Sequence, residues 1–318
     1  MVKRALGKTG IHVSEVAFGC VEIGMPYGIG INSEQDMLSE YEAIHLLQTA
    51  LTLGINFFDT ARAYGNSESI IGKAFRHHRS EVIIATKCTH FQKPNGDIPP
   101  YNELKLIIET SLQESLMALQ TNYVDVYMLH QADERLLRDN NVQAIFADLR
   151  NSGLIKATGV STYTNEQTQL AIDAGCWDVI QVPFNMMDQR QSALFDKAVS
   201  QGIGLIIRSV LLKGLLSDRG KNLHPALSQV EAHIQKYNTL TQSLNVTLPA
   251  LATQFALSFP QISAILVGID KLDFLEQSVD VATRNPLHQE TLQQIKDLAY
   301  PEPDFINLPM WDREGWLT

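Results

Sequence analysis

The chain has 318 residues, of which 45% are hydrophobic and 19% are charged, and this composition provides apolar material for a large buried core. A formal net charge of −10 with no Lys/Arg run argues against a nucleic-acid partner, because such a partner requires a concentrated basic surface. No segment approaches the roughly 18 continuous apolar residues of a membrane helix, and the amino terminus MVKRALGKTG contains no signal-peptide core. We therefore expect a cytoplasmic protein without a membrane partner.

The spacing of cysteines and histidines does not predict a metal site. Cys20, Cys88 and Cys176 are widely separated and show no CxxC or Cys/His spacing, so neither a disulfide framework nor a zinc site is indicated. The His77-His78 pair lies between a helical segment and a strand, which is typical of a solvated turn. Cys88 follows Lys87 on a predicted strand, and because neighbouring strand residues face opposite ways we expect Cys88 to pack in the core.

Short β-branched and aromatic runs alternate along the chain with longer segments of helical spacing, as in parallel βαβ construction. The eight runs are VAFG from Val16, INFFD from Ile55, VIIAT from Val82, YVDVYML from Tyr123, IKATGV from Ile155, DVIQV from Asp178, IGLIIR from Ile203 and SAILV from Ser263. The intervening segments EAIHLLQTALTLG and LKLIIETSLQESLMAL predict helices, the first ending at Gly54. This pattern predicts an α/β fold, a (β/α)8 TIM barrel, with residues 1–318 in a single domain.

Both ends of the chain lie outside this alternation. The segment KRALGKTGIHVSEV predicts an N-terminal β-hairpin that turns at Lys8, Thr9 and Gly10 and plugs the lower end of the barrel. The tail from Pro301 onward contains Trp311 but has no helical period, so it predicts a loop or an ordered surface extension.

Polar residues follow three successive strands of the pattern. Asp59 ends one strand and runs into TARAYG, which contains Tyr64; Lys87 ends the next strand, and His130 ends the third. A β/α barrel builds its active site at the carboxyl ends of its strands, so we expect these side chains to converge. A carbonyl that receives hydride becomes an alkoxide and needs a proton, which a tyrosine beside an ammonium can supply. Taken singly, Asp59 could cap a turn and the other two could bond backbone, but together they predict a proton-transfer set.

The segments GINFFDTARAYGNSESIIGKAF, IIATK and DVYMLH resemble signatures of the aldo-keto reductase family. The resemblance covers essentially the whole chain, from LGKTGIHVSEVAFG to the strand SAILV, and implies the family's barrel and nicotinamide chemistry. It also implies that Tyr64 is the general acid, that Asp59 and Lys87 tune its pKa, and that His130 orients the substrate or relays a proton.

The same resemblance implies contacts with NADP or NAD. Ser161 and Gln181 match the residues that hydrogen-bond the nicotinamide carboxamide, while Thr162 replaces the usual asparagine and weakens one contact. Arg208 takes the place of an aromatic residue beneath the nicotinamide, where a guanidinium can also stack, and it indicates a subfamily with arginine there. The stretch RSVLLKGLL matches the segment around the pyrophosphate, with contacts implied for Ser209, Leu211, Lys213 and Gly214.

The segment VGIDKLDFLEQSVD departs from the family pattern for holding the adenosine ribose. The matching positions are Gly268, Asp270, Phe274, Gln277 and Ser278. A carboxylate at Asp270 would repel a 2′-phosphate but can accept a hydrogen bond from a free ribose hydroxyl. Asp270 and Phe274 therefore favour acceptance of NAD, although Lys271 could instead neutralise a phosphate.

Substrate choice is expected to depend on the loops at residues 20–37 and 90–101 and on the tail from Ala299. Met25, Tyr27 and Trp311 are candidate substrate contacts in these segments, although such residues more often anchor loops to the body of a protein. Aldehydes, ketones and sugars all fit the proposed chemistry, and no pattern predicts an oligomeric state.

Two other functions fit the same residues. A lysine at a barrel strand end can form an imine with a ketose or aldehyde, so Lys87 is also a candidate nucleophile of a Schiff-base lyase or aldolase. A barrel that retains its cofactor residues without catalysis would be a nicotinamide-sensing subunit. The intact set of four polar residues argues against the sensing subunit, whereas Tyr64 and Asp59 would serve either the oxidoreductase or the lyase.

Overall fold

The computed structural model describes residues 1–31, 33–92, 95–130 and 132–317. A two-stranded antiparallel hairpin of β1 (Lys3–Ala5) and β2 (His12–Ser14) begins the chain. Eight parallel strands in the described ranges then close into a barrel, each pairing with the next and the last pairing with the first. They are β3 (Val16–Gly19), β4 (Phe57–Asp59), β5 (Ile83–Lys87), β6 (Val124–Leu129), β7 (Ile155–Ser161), β8 (Val179–Pro183), β9 (Gly204–Arg208) and β10 (Ile262–Gly268). The predicted (β/α)8 barrel is confirmed.

Helices connect the strands and cover the outside of the barrel. They are α1 (Glu40–Thr52), α2 (Ser67–Phe75), α3 (Tyr101–Ala118), α4 (Glu134–Arg138), α5 (Asn140–Asn151), α6 (Asn165–Ala174), α7 (Phe195–Ser200), α8 (Ser228–Ile234), α9 (Tyr237–Leu244), α10 (Leu248–Leu257), α11 (Leu272–Thr283), α12 (Gln289–Asp297) and α13 (Leu308–Arg313). Both predicted helices are present as α1 and α3. Ser39 begins α1 with a capping box, and Gly54 follows its end at a φ of 96°, a conformation that favours glycine.

Strand residues alternate between the barrel interior and the helix layer, because successive side chains on a strand point to opposite faces. Phe57 and Ala85 pack inside the barrel, whereas Phe58 packs in the outer layer with the helices. Asp59 and Lys87 lie two residues beyond those inward-facing positions, and the alternation therefore turns both side chains toward the barrel axis. Cys88 is buried in the outer cluster, as its position next to Lys87 predicted.

The hairpin closes the amino-terminal end of the barrel. Leu6, Ile11 and Val13 belong to the same buried cluster as the inward-facing strand residues. Lys8 N donates to Gly202 O at 2.8 Å just before β9, which fixes the turn against the barrel. The hairpin therefore fills the lower end of the interior with apolar side chains.

Replacing Leu6 with alanine is expected to lower the free energy of unfolding by about 2–5 kcal/mol, because it leaves a cavity beneath a filled barrel. Leu6 is fully buried, whereas Val2 in the same segment is 57% exposed. Urea denaturation of the Leu6→Ala and Val2→Ala variants checks this, since the Val2 variant should change stability by less than about 0.5 kcal/mol. Equal effects of the two substitutions would contradict a role for Leu6 in filling the barrel.

The tail contains a helix that the sequence pattern did not predict. Helix α13 has six residues, too few for a clear period, and Asn307 begins it by accepting a hydrogen bond from Met310 N at 3.0 Å. Trp311 is fully buried and lies 5.6 Å from the Phe305 ring. The tail is therefore packed against the body of the protein.

The described residues provide neither a membrane-spanning helix nor a cluster of metal ligands. None of their helices is both long enough and apolar enough to cross a membrane. They contain no group of three or more His, Cys, Asp or Glu side chains arranged to hold a metal ion. His77 and His78 are exposed in a turn between α2 and β5, as predicted.

Candidate active site

A cavity of about 630 Å³ opens at the carboxyl ends of the barrel strands. Most of the residues predicted from the sequence contribute to its lining, namely Tyr27, Asp59, Tyr64, His130, Ser161, Gln181, Arg208, Ser209, Leu211, Lys213, Gly214, Gly268, Asp270, Phe274, Gln277 and Ser278. A second cavity of about 500 Å³ adjoins it and shares Thr247, Ala250, Gln277 and Val281 with it. The lining combines acidic, basic, amide and phenolic groups within one elongated cleft.

Lys87 lies beneath the cavity and is ion-paired on one side. Its ammonium donates to Asp59 Oδ1 at 2.5 Å and to Thr60 O at 2.9 Å, and both side chains of the pair are almost completely buried. The other side of the ammonium faces Tyr64, at 4.9 Å from the ring centroid. Burial by itself lowers the pKa of Lys87, but the neighbouring Asp59 carboxylate and Tyr64 raise it above its ordinary value. Lys87 is therefore a charged ammonium at neutral pH.

Tyr64 is held by a tight turn between β4 and α2. Tyr64 N donates to Ala61 O at 3.0 Å, and Ser67 N donates to Tyr64 O at the same distance. A Cβ at Gly24 would lie only 2.1 Å from Tyr64 O, so this glycine allows the loop after β3 to pass directly over the turn. The main chain of Tyr64 is consequently fixed by backbone contacts on both sides.

An ion pair buried behind the turn supports the same arrangement. Glu68 accepts hydrogen bonds from Arg62 at 2.5 Å and from Thr86 at 2.6 Å, which links α2 to β5. Thr86 and Lys87 are adjacent on β5, so one strand anchors both this network and the Lys87–Asp59 pair next to the turn.

Burial raises the pKa of the Tyr64 hydroxyl above its ordinary value. The Lys87 ammonium lowers this pKa, in the direction expected from the sequence, and the Asp59 carboxylate raises it. Burial outweighs the ammonium, so Tyr64 is an uncharged phenol at neutral pH and can donate a proton.

His130 is next to Tyr64 at the edge of the cavity. The two rings meet edge to face with a centroid distance of 5.6 Å, and the exposed ring of His90 lies 4.9 Å from His130 on another side. Burial lowers the pKa of His130 to about 2, and the charges of Lys87 and Arg208 act in the same direction. Within the described ranges, His130 Nδ1 is buried and has no hydrogen-bond partner. A neutral imidazole with an unused nitrogen is available to hydrogen-bond a ligand.

Side chains from the next strands extend this site along the cleft. Gln181 Nε2 donates to Asp59 Oδ2 at 2.9 Å, so a residue of β8 shares the carboxylate that pairs with Lys87. The Arg208 guanidinium lies 4.3 Å from the Tyr163 ring centroid and donates to Thr162 O at 3.0 Å. These contacts orient Arg208 at the end of β9 while it also lines the cavity.

The segment after β9 has an unusual backbone. Ser209, Leu212 and Lys213 adopt positive φ angles of 62°, 47° and 60°, which turn the chain sharply around one side of the cleft. The Lys213 ammonium is paired with Asp312 and lies 5.1 Å from the Tyr27 ring centroid. Lys213 thus joins the loop after β3 to the tail, in addition to facing the cavity.

The part of the cleft lined by Asp270 and Lys271 contains both acidic and basic side chains. Asp270 accepts from Arg219 at 3.1 Å, and Lys271 lies 5.8 Å from the Phe274 ring centroid. Ser278 Oγ donates to Phe274 O at 2.8 Å, so its hydrogen is used within α11. Asp270 therefore contributes a carboxylate that is already partly neutralised by a guanidinium.

The structure does not bring every predicted residue to the cavity lining. The Thr162 hydroxyl is buried and bonds Thr168 Oγ1 at 2.7 Å, and Trp311 is buried with the tail. Met25 is not part of the lining, which includes its neighbour Tyr27. Lys87 is covered by Tyr64 and does not reach the lining.

Several lining residues were not predicted from the sequence, among them Glu22, Tyr163 and Arg219. A signal for Glu22 was present, because it follows β3 as a polar residue just beyond the carboxyl end of a barrel strand. Arg219 lies in a loop without a readable pattern, and its ion pair with Asp270 in the folded chain shows its place at the cleft.

Comparisons with known proteins agree with this architecture. A family model described as the aldo/keto reductase family matches residues 25–299. The chain is 30% identical over 314 residues to L-galactose dehydrogenase from Arabidopsis thaliana, with 94% of each protein covered. It is 25% identical over 331 residues to L-glyceraldehyde 3-phosphate reductase from Escherichia coli (strain K12), covering 93% of this chain and 91% of that protein.

A solved structure is similar over the same range. The holo form of the aldo-keto reductase AKR11C1 from Bacillus halodurans superposes with a TM-score of 0.77 and 26% sequence identity, covering 94% of this chain and 96% of that chain. The family match includes the Tyr64 turn, the strand ends that carry Lys87 and His130, and the segment after β9. The chain therefore belongs to the aldo/keto reductase family.

Proposed function

We propose that this protein transfers hydride between NAD(H) or NADP(H) and an aldehyde, ketone or sugar carbonyl, with Tyr64 as the general acid in reduction and the general base in oxidation. The observation that carries the proposal is the packing of Tyr64 between the buried Lys87–Asp59 pair and the neutral His130 at the edge of the cavity. When bound, the nicotinamide cofactor supplies or accepts the hydride.

The proton-transfer residues have distinct tasks in this proposal. Tyr64 donates its hydroxyl proton to the carbonyl oxygen as negative charge develops there, and Lys87 stabilises the phenolate that remains. Asp59 keeps Lys87 charged and holds its ammonium in place through the 2.5 Å contact. His130, uncharged at neutral pH, orients the carbonyl oxygen by a hydrogen bond.

The cleft fits an extended dinucleotide. Ser161 and Gln181 would hold the nicotinamide carboxamide, and Arg208 would stack on the ring. The turned backbone from Ser209 to Gly214 would hold the pyrophosphate through N–H groups not used inside the turn, because Leu212 N and Gly214 N already donate to Ser209 O and Leu211 O. The residues assigned to the adenosine ribose are Gly268, Asp270, Phe274, Gln277 and Ser278.

The relatives support a hydroxylated carbonyl as substrate. One is named a dehydrogenase of a sugar and another a reductase of a sugar phosphate, and both align with nearly the whole chain. Two polar side chains outside the proton-transfer set, Tyr27 and Tyr163, line the cavity and offer further hydrogen bonds to substrate hydroxyls.

The test is a titration with NADH and NADPH by protein fluorescence, followed by aldehyde, ketone and sugar panels in both directions. We expect saturable binding and substrate-dependent change in reduced-nicotinamide absorbance. A protein that binds neither dinucleotide would contradict the proposal.

The Schiff-base alternative is not favoured by the position of Lys87. Its ammonium is buried, paired with Asp59 and has a raised pKa, so the neutral amine that an imine requires is disfavoured. Borohydride treatment with the same carbonyl panel is expected to leave Lys87 unmodified. Covalent trapping on Lys87 would support the lyase instead.

Cofactor preference is expected to depend on Asp270. We propose that NADH is accepted well, because the carboxylate can accept a ribose hydroxyl and repels a 2′-phosphate. Replacing Asp270 with asparagine should raise the ratio of kcat/KM for NADPH over NADH about tenfold, since it removes one negative charge near that phosphate. The exposed Asp273, which is in the first turn of α11 but outside the lining, provides the control variant Asp273→Asn. A large NADPH preference in the unmodified protein would refute this assignment.

A further inference from the structure

Glu22 lines the cavity just beyond the carboxyl end of β3. Its side chain packs so closely on β10 that a Cβ at Gly268 would lie 1.9 Å from Glu22 Oε1. The residue as a whole is only partly buried because it lines the cavity, but its Oε2 atom is buried. Among the described residues, this oxygen has no hydrogen-bond partner.

Burial of Glu22 disfavours its carboxylate form. Burial raises its pKa to about 8; its own backbone N–H opposes this increase, Asp270 adds to it, and Arg219 acts against it. Arg219 is itself paired with Asp270 at 3.1 Å. On its own segment Glu22 faces Cys20 and Tyr27, whose pKa values are raised by burial, so both are uncharged at neutral pH. Glu22 is therefore a carboxylic acid at neutral pH.

This position separates the two functional ends of the cleft. Cys20 and Tyr27 on one side of Glu22 adjoin Asp59 and Tyr64, as their mutual electrostatic effects show. Asp270 and Arg219 on the other side belong to the end assigned to the adenosine ribose. A dinucleotide that spans both ends would pass Glu22 with its ribose and pyrophosphate groups.

We propose that Glu22 is a cofactor-binding residue whose uncharged carboxyl group hydrogen-bonds the ribose–pyrophosphate segment of the dinucleotide. This inference rests on the proposed function, and it adds a residue and a proton dependence to it. A carboxylic acid can both donate and accept a hydrogen bond, and its O–H suits a phosphate oxygen. An ionised Glu22 in the same place would repel the phosphate charges.

Dinucleotide binding should weaken at alkaline pH. Glu22 binds the dinucleotide in its protonated form, so full affinity is present below the pKa of about 8 and is lost as the pH rises above it. Above the pKa, the ratio of ionised to protonated Glu22 in the free protein rises about tenfold for each pH unit. Kd should therefore rise about tenfold by roughly pH 9.

The experiment measures the Kd of NADH and of NADPH by fluorescence between about pH 6.5 and about pH 9.5. It compares the unmodified protein with the Glu22→Gln and Asp218→Asn variants. Glutamine mimics the uncharged acid, so we expect near-native affinity at neutral pH and a change of less than about twofold across the range. Asp218 is an exposed cleft residue with an ion pair to Lys221, and its variant should keep the native pH dependence.

The outcomes distinguish the role of Glu22 from dinucleotide binding by the protein as a whole. The role of Glu22 is overturned if the native protein and Glu22→Gln show the same pH dependence, or if the native protein shows none. In either case, dinucleotide binding by the native protein leaves the proposed function intact. Failure of the native protein to bind either dinucleotide overturns both. If Glu22→Gln does not fold, calorimetry of the native protein in two buffers of different ionisation enthalpy gives the answer, because NADH binding at about pH 8.5 should take up more than about half a proton. Uptake of no proton overturns the inference.

Discussion

Replacing Tyr64 with phenylalanine is expected to lower kcat for carbonyl reduction by about 100- to 10,000-fold, because the substitution removes the proton that the alkoxide requires. The ring itself is retained, and with it the edge-to-face contact with His130 at 5.6 Å. Dinucleotide affinity and thermal stability should therefore change little. Single-turnover measurements of reduced-nicotinamide fluorescence separate this chemical step from cofactor binding and release.

A second tyrosine provides the matched control. Tyr237 is fully buried, lies outside the cavity lining and donates its hydroxyl to Leu298 O at 2.6 Å. Its phenylalanine variant should lose about 1 kcal/mol of stability and keep kcat within about twofold. A Tyr64→Phe enzyme with kcat within about tenfold of the native value would exclude Tyr64 as the proton donor. Unchanged behaviour in every assay would favour the nicotinamide-sensing function.

Replacing Lys87 with methionine is expected to reduce both stability and turnover. The variant removes the ammonium that faces Tyr64, so the phenolate loses its neighbouring positive charge, and we expect kcat to fall by about 100-fold or more. It also leaves the buried Asp59 carboxylate without its cation, which costs about 3–5 kcal/mol in comparable buried pairs. Chemical denaturation and steady-state kinetics measure the two effects separately.

The double variant Asp59→Asn/Lys87→Met distinguishes packing from catalysis. Asparagine removes the uncompensated charge, so the double variant should recover most of the stability lost by Lys87→Met. It still lacks the ammonium, so its kcat should stay as low as that of the single variant. Recovery of turnover together with stability would mean that Lys87 acts only by holding the fold.

The barrel was predictable because its pattern is local and repeated. Each strand is a short apolar run bounded by helical spacing, and the closure of eight such strands follows from their number. The polar strand ends were predictable for the same reason, since Asp59 and Lys87 lie two residues after the inward-facing Phe57 and Ala85 and so face the same side of the strand.

Other features depend on side-chain contacts in the folded chain, which no periodic pattern encodes. The Thr162 hydroxyl turns to Thr168 within its own βα unit, and Trp311 packs into the body through a helix too short to show a period. The pKa of Tyr64 was expected to respond to Lys87, and it does, but the extent of burial that outweighs Lys87 requires the folded structure. The importance of Glu22 likewise depends on its contact with Gly268 on the opposite end of the chain.

The bond between Gln181 and Asp59 crosses a boundary between two halves of the barrel. Strands β4 to β6 carry the groups assigned to proton movement, and β7 to β10 carry most of those assigned to the dinucleotide. Such a division lets selection, or an engineer, alter which dinucleotide is used without disturbing acid–base chemistry. The effects of Asp270→Asn and Tyr64→Phe should then be additive, whereas Gln181 substitutions should couple to both.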